Sequence, residues 1–473
     1  MTPRVEPWTN DPEIYETEVL IIGAGGCGLA AALSAADAGA EVVILEETKT
    51  PLGTTSMSTG LIPAAGTKEQ ADAGITDAPD LFFDDIMGKN KKGADPEIVR
   101  KLCDISASTV SWLRDDHKVP LTLVDGFTYP GHSARRMYGT QNRTGEELMA
   151  ALETAAYEKD VSILTEARAA ILYTDADGTV RAVGYQRPDG SLETIGCKAL
   201  ILACCGFAAS PEMLERLIPE LKDAVPHTHP ASQGLSISWG EQLGAQLEDL
   251  TGYQGHAGLA AGHSIPILWP SIVEGGFQVN ANGERFSNEV RGYSEQAATV
   301  LAQPGHAVWT VFDKRIEAVL SQFNDYRDAQ SASAILSAET QDDLAVAIGV
   351  DPAALKRTFD EVESCASSGQ ADAYGREFVK DKLLQAPYLA VKVTGAIFHT
   401  QGGLGIDTSA RVLRADGQPF NNLFAGGGAA RGISGAGADG YLAGNGLLTA
   451  TSLGRIAGSE AAKTAMQAAS GTD

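Results

Sequence analysis

Residues 19–47, VLIIGAGGCGLAAALSAADAGAEVVILEE, decide the fold of this chain. The apolar start predicts a buried parallel strand, and Gly23, Gly25 and Gly28 form a G-x-G-x-x-G turn into a helix. Such glycines allow a tight turn, close approach of the backbone to a pyrophosphate, and close packing of helix on strand. Glu46 ends a second apolar strand, where a carboxylate accepts from a ribose 2′-OH and repels a 2′-phosphate. The segment predicts a dinucleotide site, with an ordinary βαβ crossover as the alternative interpretation.

Length and charge narrow the class of protein. The chain has 473 residues, 52 of them glycine, and a net charge of −25. This length predicts two or three domains. The negative charge argues against nucleic acid and anionic membranes as partners, and no apolar run reaches the length of about 18 residues that a bilayer span needs. The N-terminal residues lack the apolar core of a secretory signal, so the sequence favours a cytoplasmic location.

Cysteine and histidine spacing predicts no metal site. The six cysteines show neither C-x-x-C nor C-x-x-C-H spacing, which leaves iron–sulfur clusters, zinc and c-type haem without support. Cys204 and Cys205 lie in the apolar run ALILACCGF, which predicts a buried strand. Because neighbours on a strand point to opposite faces, the adjacent pair is interpreted as buried thiols and not as a redox couple.

The rest of the chain alternates helical and strand patterns with glycine-rich turns. Helices are predicted at residues 27–38, 80–87, 96–115, 145–159, 352–368 and 444–468. Strands are predicted at residues 199–204 and 422–428, with a hairpin formed by residues 162–172 and 180–186. Residues 51–66 are predicted to be a loop, and residues 251–398 lose the α/β pattern, which indicates an inserted second domain.

Several motifs, in this order along nearly the whole chain, resemble the superfamily of FAD flavoproteins that includes fumarate reductases and 3-ketosteroid dehydrogenases. They are IIGAGGCGLAAA, LGTTSMSTGLIP, ALILACCGF, GERFSNE, FHTQGGLGID and LFAGGGAARG followed by GYLAGNG. The resemblance implies an α/β fold in which a Rossmann-like FAD-binding domain carries an inserted α+β capping domain. It assigns residues 1–250 and 399–473 to the FAD domain and residues 251–398 to the cap.

The resemblance also implies which residues contact FAD. Those assigned to the cofactor are Gly23, Gly25, Gly26, Gly28, Glu46, Thr54, Thr55, Ser58, Gly60, Gly206, Gly428, Asn445, Gly446 and Leu447. Some relatives attach the flavin covalently through a histidine in the loop after the ribose acid. That loop contains no histidine here, so FAD is predicted to bind non-covalently.

Two positions depart from the fumarate reductases of this superfamily. Those enzymes place a proton-donating arginine shortly after the GERFSNE-like segment, and a carboxylate-binding arginine before the last glycine turn. Counting along this chain puts Tyr293 and Tyr441 at these positions. The chain therefore resembles the ketosteroid dehydrogenase branch more closely than the fumarate reductase branch.

The predicted reaction is the α,β-desaturation of a cyclic ketone, either a 3-ketosteroid or a smaller cyclohexanone-type ring. It needs a base for the α-proton and an acceptor, flavin N5, for the β-hydride. Tyr293 is assigned as the base, with Arg291 as a nearby positive charge. Tyr441 is assigned as a donor to the carbonyl oxygen, together with backbone N–H groups of residues 434–440, and Tyr129 as a proton relay. A buried structural tyrosine is the alternative at each position.

Other substrate contacts are predicted at His256, His399 and Gly440, although lone histidines more often have structural roles. If the ring carries a carboxylate, Arg135, Arg136, Arg291 and Arg431 are candidates to bind it. The second interpretation is a fumarate-reductase-like reductase of an activated alkene, which would need an external electron donor. The third is a non-catalytic flavin-binding subunit of a redox complex. The electron acceptor of a dehydrogenase is not identified by the sequence.

Overall fold

The computed structural model describes residues 2–9, 13–124 and 128–470, except the side chains of residues 469 and 470. Within it the chain divides into two units. The first unit comprises Met1–Leu217, Thr228–Tyr253 and His399–Asp473, and the second comprises Ile218–His227 and Gln254–Phe398. The segment Ile218–His227 falls inside the range that the sequence assigned to the FAD domain.

Strands in the described residues are numbered in chain order. They are β1 Arg4–Pro7, β2 Glu16–Ile22, β3 Val42–Leu45, β4 Ile62–Pro63, β5 Thr122–Leu123, β6 Met137–Gly139, β7 Ser162–Leu164, β8 Arg168–Thr174, β9 Val180–Gln186, β10 Leu192–Leu202, β11 Val225–Pro226, β12 Leu247–Glu248, β13 Tyr253–Ala260, β14 Phe277–Val279, β15 Ala307–Asp313, β16 Ile335–Ala338, β17 Tyr388–Thr400, β18 Gly403–Leu404, β19 Arg411–Leu413 and β20 Pro419–Ala425.

The α-helices of the described residues are numbered in the same way. They are α1 Gly26–Asp37, α2 Lys68–Asp72, α3 Pro79–Lys89, α4 Pro96–Ser111, α5 Gly145–Glu158, α6 Pro211–Leu217, α7 Leu235–Leu243, α8 Pro270–Val273, α9 Tyr293–Leu301, α10 Lys314–Leu320, α11 Asn324–Ser331, α12 Gln341–Ile348, α13 Pro352–Ser368 and α14 Asn445–Ser470. None of these helices combines the length and the apolar character that a membrane span requires.

The main sheet of the first unit has a parallel centre formed by β20, β10, β2, β3 and β7. Their last residues lie side by side, in the order Ala425, Leu202, Ile22, Leu45 and Leu164. All of these strands therefore end at one edge of the sheet, which is where open α/β sheets bind ligands. The turns after β2, β3, β10 and β20 carry the cofactor residues that the sequence predicts near this edge.

Helices α1 and α14 pack closely against each other beside this sheet. A Cβ added to Gly454 would lie 2.5 Å from the carbonyl oxygen of Cys27, and one added to Gly458 would lie 2.1 Å from that of Ala31. These glycines let the two helix backbones approach, as small residues do wherever helices pack tightly. The contact aligns residues 454–458 of α14 with the first turns of α1.

The second unit has a different architecture. Its sheet has the order β11, β17, β15 and β14, and β13 and β16 also pair with β17. The pairs of β17 with β15 and β16 are antiparallel, and helices α8–α13 accompany the sheet. The predicted fold class is confirmed: an α/β unit with a parallel sheet and an inserted α+β unit.

Local signals explain why some predicted elements agree with the structure. Helix α13 has the predicted bounds because Asp351 caps its N-terminus, Pro352 occupies the first turn, and Gly369 ends it in the left-handed conformation. The predicted hairpin is formed by β8 and β9, but its first strand, predicted at residues 162–172, is not continuous. It divides into β7, which pairs parallel with β3, and β8, which pairs antiparallel with β9. Residues 51–66 also contain a 3₁₀ turn at Thr54–Met57 and the strand β4.

Candidate functional site

The glycine turn after β2 is fixed by the packing of the chain. Gly23 has a φ of +99°, and a Cβ added there would lie 2.7 Å from the carbonyl oxygen of Ala203. A Cβ added to Gly28 would lie 1.8 Å from the carbonyl oxygen of Gly23. One added to Gly26 would lie 2.9 Å from Oγ1 of Thr55. Protein contacts alone therefore require a glycine at Gly23 and Gly28, and disfavour any side chain at Gly26.

Gly25 differs from the other glycines of the turn. Its φ of −73° suits any residue, and a Cβ added there would approach just one described atom outside the adjoining residues, Cα of Gly53 at 3.8 Å. The protein thus leaves open space in front of the N-terminus of α1. Backbone N–H groups and the positive end of the helix dipole favour an anion at such a place. This space fits the pyrophosphate of FAD.

Glu46 follows β3 and is buried. Its Oε2 accepts from the N–H of Ala24 at 2.9 Å, and its Oε1 accepts from the N–H of Thr48 at 2.9 Å and from the hydroxyl of Thr48 at 2.6 Å. A carboxylate offers about four acceptor positions, so these bonds leave capacity for a further hydroxyl donor. Glu46 also ties the end of β3 to the glycine turn.

The loop after β3 is held by its own hydroxyl groups. The hydroxyl of Thr55 accepts from the N–H of Gly26 at 3.2 Å, and Ser58 donates to the carbonyl oxygen of Thr55 at 2.7 Å. The hydroxyl of Thr54 lies 2.9 Å from that of Thr228. The loop is therefore bound directly to the N-terminus of α1.

Packing also explains why glycine occupies three further predicted cofactor positions, which are Gly60, Gly206 and Gly428. A Cβ on Gly60, which has a φ of +65°, would lie 2.6 Å from the carbonyl oxygen of Thr144. One on Gly206 would lie 1.9 Å from the hydroxyl oxygen of Thr400, and one on Gly428 would lie 2.9 Å from the nitrogen of Gly206. Gly206 and Gly428 are brought together because β10 and β20 end side by side.

Asn445 begins α14 and is completely buried. Its Nδ2 donates to the hydroxyl of Ser434 at 3.0 Å, whereas its Oδ1 has no hydrogen-bond partner among the residues that the structure describes. A buried acceptor without a donor costs about 1–3 kcal/mol. The flavin and its ribityl chain carry N–H and O–H donors that would satisfy it. Asn445 Oδ1 and the space at Gly25 are two separate features that fit FAD. Gly446 and Leu447, in the same first turn, are partly exposed.

A chain of side-chain hydrogen bonds continues from Asn445 towards His399. Ser434 donates to Oε1 of Gln401 at 2.7 Å, and Nε2 of Gln401 lies 2.7 Å from Nδ1 of His399. Ser434 and Gln401 are buried. Burial lowers the pKa of His399 to about 4, so its imidazole is neutral near pH 7.

Tyr441 lies beside His399. Their rings meet edge-on with centroids 5.5 Å apart. Burial raises the pKa of Tyr441 and Tyr129 adds to this increase, while the backbone N–H groups of Gly446 and Gly444 donate to its hydroxyl oxygen and oppose it. The hydroxyl therefore keeps its proton near pH 7, as a hydrogen-bond donor must.

Two arginines of the first unit, Arg431 and Arg136, form ion pairs with aspartates. Arg431 pairs with Asp249 at 2.7 Å and with Asp95 at 3.5 Å. Arg136 is buried, and it pairs with Asp77 at 2.9 Å and with Asp85 at 2.5 Å. These carboxylates neutralise Arg431 and Arg136, two of the four arginines that were predicted as candidates to bind a substrate carboxylate.

Two other predicted residues lie in the first unit. Tyr129 is partly buried and packs on a small cluster that includes Val124 and Ala443. The negative charge of ionised Tyr129 would contribute to raising the pKa of Tyr441. A Cβ on Gly440 would lie 1.8 Å from the carbonyl oxygen of Ser434, so Gly440 shapes the segment that carries Ser434.

The second unit gathers aromatic rings around His256. The ring of His256 stacks on Phe398 at 4.9 Å and lies 5.2 Å from that of Tyr293, and Trp269 approaches both His256 and Tyr293 at 6.2 Å. Burial lowers the pKa of His256 to about 3, so this ring is neutral. Tyr293 begins α9 and is partly buried, whereas Arg291 is exposed.

A buried ion cluster anchors the segment before Tyr293. Glu289 is fully buried and is contacted by Arg285 at 2.7 Å and Arg376 at 2.9 Å. Burial opposes its ionisation, but Arg376 and Arg285 hold the pKa of Glu289 below its usual value. The cluster fixes the GERFSNE segment, and it could not be predicted from the sequence because Arg376 is distant along the chain.

The chain is similar to known proteins over most of its length. The model of the FAD binding domain family matches residues 18–447. The chain belongs to this family. It is 30% identical to a fumarate reductase (cytochrome) of Shewanella frigidimarina over 448 residues, which are 94% of this chain and 77% of that protein.

Two solved structures resemble this FAD-binding flavoprotein over most of its length. An open conformation of a flavocytochrome c3 fumarate reductase matches with a TM-score of 0.83 and 29% identity, over 96% of this chain and 79% of that one. A 3-ketosteroid-Δ4-(5α)-dehydrogenase from Rhodococcus jostii RHA1, in complex with 4-androstene-3,17-dione, matches with a TM-score of 0.76 and 25% identity, over 98% and 100%.

These matches confirm the predicted superfamily, its FAD cofactor and the class of FAD-dependent oxidoreductase. Identity is slightly higher to the fumarate reductases than to the ketosteroid dehydrogenase. The predicted closeness to the ketosteroid branch therefore rests on Tyr293 and Tyr441.

Sequence reasoning missed Gln401 and Ser434. Gln401 stands in the quoted motif FHTQGGLGID, two residues after His399, which was the one available signal. Ser434 is a single serine in a glycine-rich segment, and its contact with Gln401 is visible in the fold alone. In the described residues, no group of three or more histidine, cysteine or acidic side chains is placed to hold a metal ion.

Proposed function

We propose that the chain is an FAD-dependent dehydrogenase that introduces a double bond next to the carbonyl group of an uncharged cyclic ketone. A 3-ketosteroid or a cyclohexanone-type ring is the proposed substrate. The observation that carries the proposal is the pair Tyr441 and His399, two uncharged polar side chains near the N-terminus of α14.

Uncharged donors suit a ketone oxygen better than a carboxylate. As the α-proton leaves, charge develops on the carbonyl oxygen, and donors fixed in advance stabilise that charge. A carboxylate substrate would favour a guanidinium, which binds it through two hydrogen bonds. Arg136 and Arg431 are already paired with aspartates, which supports a substrate without a carboxylate.

The cofactor would be held by the turns at the carboxyl edge of the sheet. Gly25 leaves space for the pyrophosphate, Glu46 has acceptor capacity for a ribose hydroxyl, and Asn445 offers a buried acceptor to a flavin donor. FAD, when bound, supplies N5 as the acceptor of the β-hydride. The chain itself must bind the ketone, orient it and remove the α-proton.

We assign removal of the α-proton to Tyr293 of the second unit. A tyrosine hydroxyl acts as a base when hydrogen bonds or positive charge favour its deprotonated form. The neighbouring rings of His256 and Trp269 give a flat aromatic surface that suits a ring substrate better than a small dicarboxylate. The indole N–H of Trp269 is buried and has no acceptor among the described residues.

The test is anaerobic addition of cyclohexanone or a saturated 3-ketosteroid to the FAD-loaded protein. We expect loss of flavin absorbance and formation of the enone. Succinate and the alcohol that corresponds to the ketone should leave the spectrum unchanged. Tyr293→Phe should abolish the loss of absorbance while FAD stays bound, with Tyr374→Phe, an exposed tyrosine of the same unit, as control. Bleaching by succinate and not by any ketone would refute the proposal.

The second candidate is the reverse reaction, reduction of an activated alkene. The identity of 30% to a protein named fumarate reductase favours it. Reduction needs a source of electrons, and residues 1–473 carry no haem or iron–sulfur motif. Comparing dye-coupled oxidation of a saturated ketone with viologen-driven reduction of its enone gives the favoured direction.

A further inference from the structure

A continuous line of hydrogen bonds joins the first residue of α14 to the imidazole of His399. It runs from Nδ2 of Asn445 to the hydroxyl of Ser434, then to Oε1 of Gln401, and from Nε2 of Gln401 to Nδ1 of His399. Each intermediate side chain donates at one end and accepts at the other. Asn445, Ser434 and Gln401 are all buried, so solvent does not compete for these bonds.

We propose that Gln401 is a positioning residue that holds His399 in the tautomer with its proton on Nε2. A neutral imidazole has one donor and one acceptor nitrogen, and the partner of one nitrogen decides the role of the other. Nδ1 of His399 lies 2.7 Å from Nε2 of Gln401 and 3.3 Å from the carbonyl oxygen of Thr400. The shorter contact, in which the amide N–H of Gln401 donates to Nδ1, places the hydrogen on Nε2. His399 then presents a donor to the carbonyl oxygen, and only this last step rests on the proposed function.

Nε2 of His399, the donor atom in this tautomer, lies close to the hydroxyl of Tyr441. A Cβ added to Gly446 would lie 2.8 Å from Nε2 of His399 and 3.7 Å from the hydroxyl oxygen of Tyr441. Both polar atoms therefore border the same small volume beside the first turn of α14. With the proton on Nδ1 instead, Nε2 would offer a lone pair that repels a carbonyl oxygen.

The direction of the line depends on Asn445. Reversing the tautomer would require Gln401 to turn its oxygen to His399, Ser434 to donate to Asn445, and Asn445 to present Oδ1 to Ser434. In the structure Oδ1 of Asn445 instead stands buried without a donor among the described residues. A cofactor donor at this oxygen leaves Nδ2 for Ser434, which selects the direction observed.

The test is the tautomer of His399 in the full chain loaded with FAD and without substrate. Histidine is labelled with ¹⁵N, and long-range ¹H–¹⁵N correlation spectra are recorded near pH 7. The His399→Asn variant identifies the signals by their disappearance. We expect Nδ1 to show the shift of an acceptor nitrogen and Nε2 that of a protonated one. A protonated Nδ1 in the wild-type protein would overturn the proposal.

A variant of Gln401 tests directly whether this residue sets the tautomer of His399. Gln401→Glu replaces the amide donor by a carboxylate, so Nδ1 of His399 should become protonated and kcat should fall by about 10²–10³-fold, as for loss of an oxyanion donor. Gln278→Glu, at a buried glutamine of the second unit, is the matched control and should leave the His399 signals unchanged. An unchanged His399 spectrum in Gln401→Glu would refute the role of Gln401.

Ser434→Ala provides a second variant if Gln401→Glu fails to fold. It removes the hydroxyl that orients the amide of Gln401, so the spectrum should show both tautomers of His399. A single unchanged tautomer in this variant would contradict the proposed line. Because the tautomer is measured without substrate, a protein that shows the expected spectrum but oxidises no ketone refutes the proposed function alone.

Discussion

Gly446 lies directly against His399: a Cβ on Gly446 would be 2.8 Å from Nε2 of the imidazole. The same Cβ would be 3.7 Å from the hydroxyl oxygen of Tyr441. The absence of a side chain at this position lets His399 pack against the first turn of α14 close to Tyr441.

Removing the Tyr441 hydroxyl should slow the reaction and leave the cofactor bound. We expect Tyr441→Phe to lower the rate of flavin reduction by ketone about 10²–10³-fold, because one donor to the developing oxyanion is lost. The measurement is anaerobic stopped-flow absorbance. Tyr185→Phe, which removes a hydroxyl that donates to Glu193 at 2.6 Å, is the control and should keep the wild-type rate. A wild-type rate in Tyr441→Phe would remove Tyr441 from the mechanism.

Two glycines of one turn should respond differently to alanine. Gly25→Ala adds a methyl group that the protein accommodates, so the apoprotein should unfold at the wild-type temperature while FAD affinity falls about tenfold or more, or ~1.4 kcal/mol. Gly28→Ala forces a methyl group against the carbonyl oxygen of Gly23 and should destabilise the apoprotein itself. Thermal unfolding without FAD and fluorescence titration with FAD measure the two effects. Unchanged FAD binding by Gly25→Ala would contradict the pyrophosphate site.

FAD should leave the chain on denaturation. The loop after Glu46 contains no histidine that could form a covalent bond to the flavin. Heating or acid precipitation should therefore release all of the yellow cofactor into the supernatant, where absorbance quantifies it. Flavin that remains with the precipitated chain after washing would show a covalent bond and overturn the prediction.

Acid should destabilise the first unit through His132. Burial and the positive charge of Arg136 lower the pKa of His132 to about 4, whereas an unfolded histidine has a pKa near 6.5. The unfolded chain thus binds the extra proton between these values. The contribution to stability is complete above pH 6.5 and is lost as the pH falls towards 4, by up to ~1.4 kcal/mol per pH unit.

Denaturant unfolding at several pH values between 5 and 7 measures this dependence. His132→Gln should reduce the slope of unfolding free energy against pH, because the group that gains the proton is removed. His263→Gln, at an exposed histidine, should keep the wild-type slope. Equal slopes for His132→Gln and the wild-type protein would show that His132 does not titrate as expected.

Local patterns made much of the fold predictable. The G-x-G-x-x-G turn, the acid after β3 and the caps of α13 act over a few residues, so their sequence signals predict the elements directly. The division of residues 162–172 into β7 and β8 was not predictable in this way. The two strands have similar apolar patterns, and their different partners, β3 and β9, are chosen by the assembled sheet.

The sequence by itself predicted the parallel sheet, the dinucleotide turn and the placement of Tyr293 and Tyr441 where the family resemblance leads one to expect arginines. These features depend on residue type and short spacing. The tertiary structure alone decided which glycine leaves space for a ligand, which arginines are neutralised, and which partner orients His399. Those properties depend on contacts between residues far apart in the chain, such as Arg431 with Asp95, and no local pattern encodes such a contact.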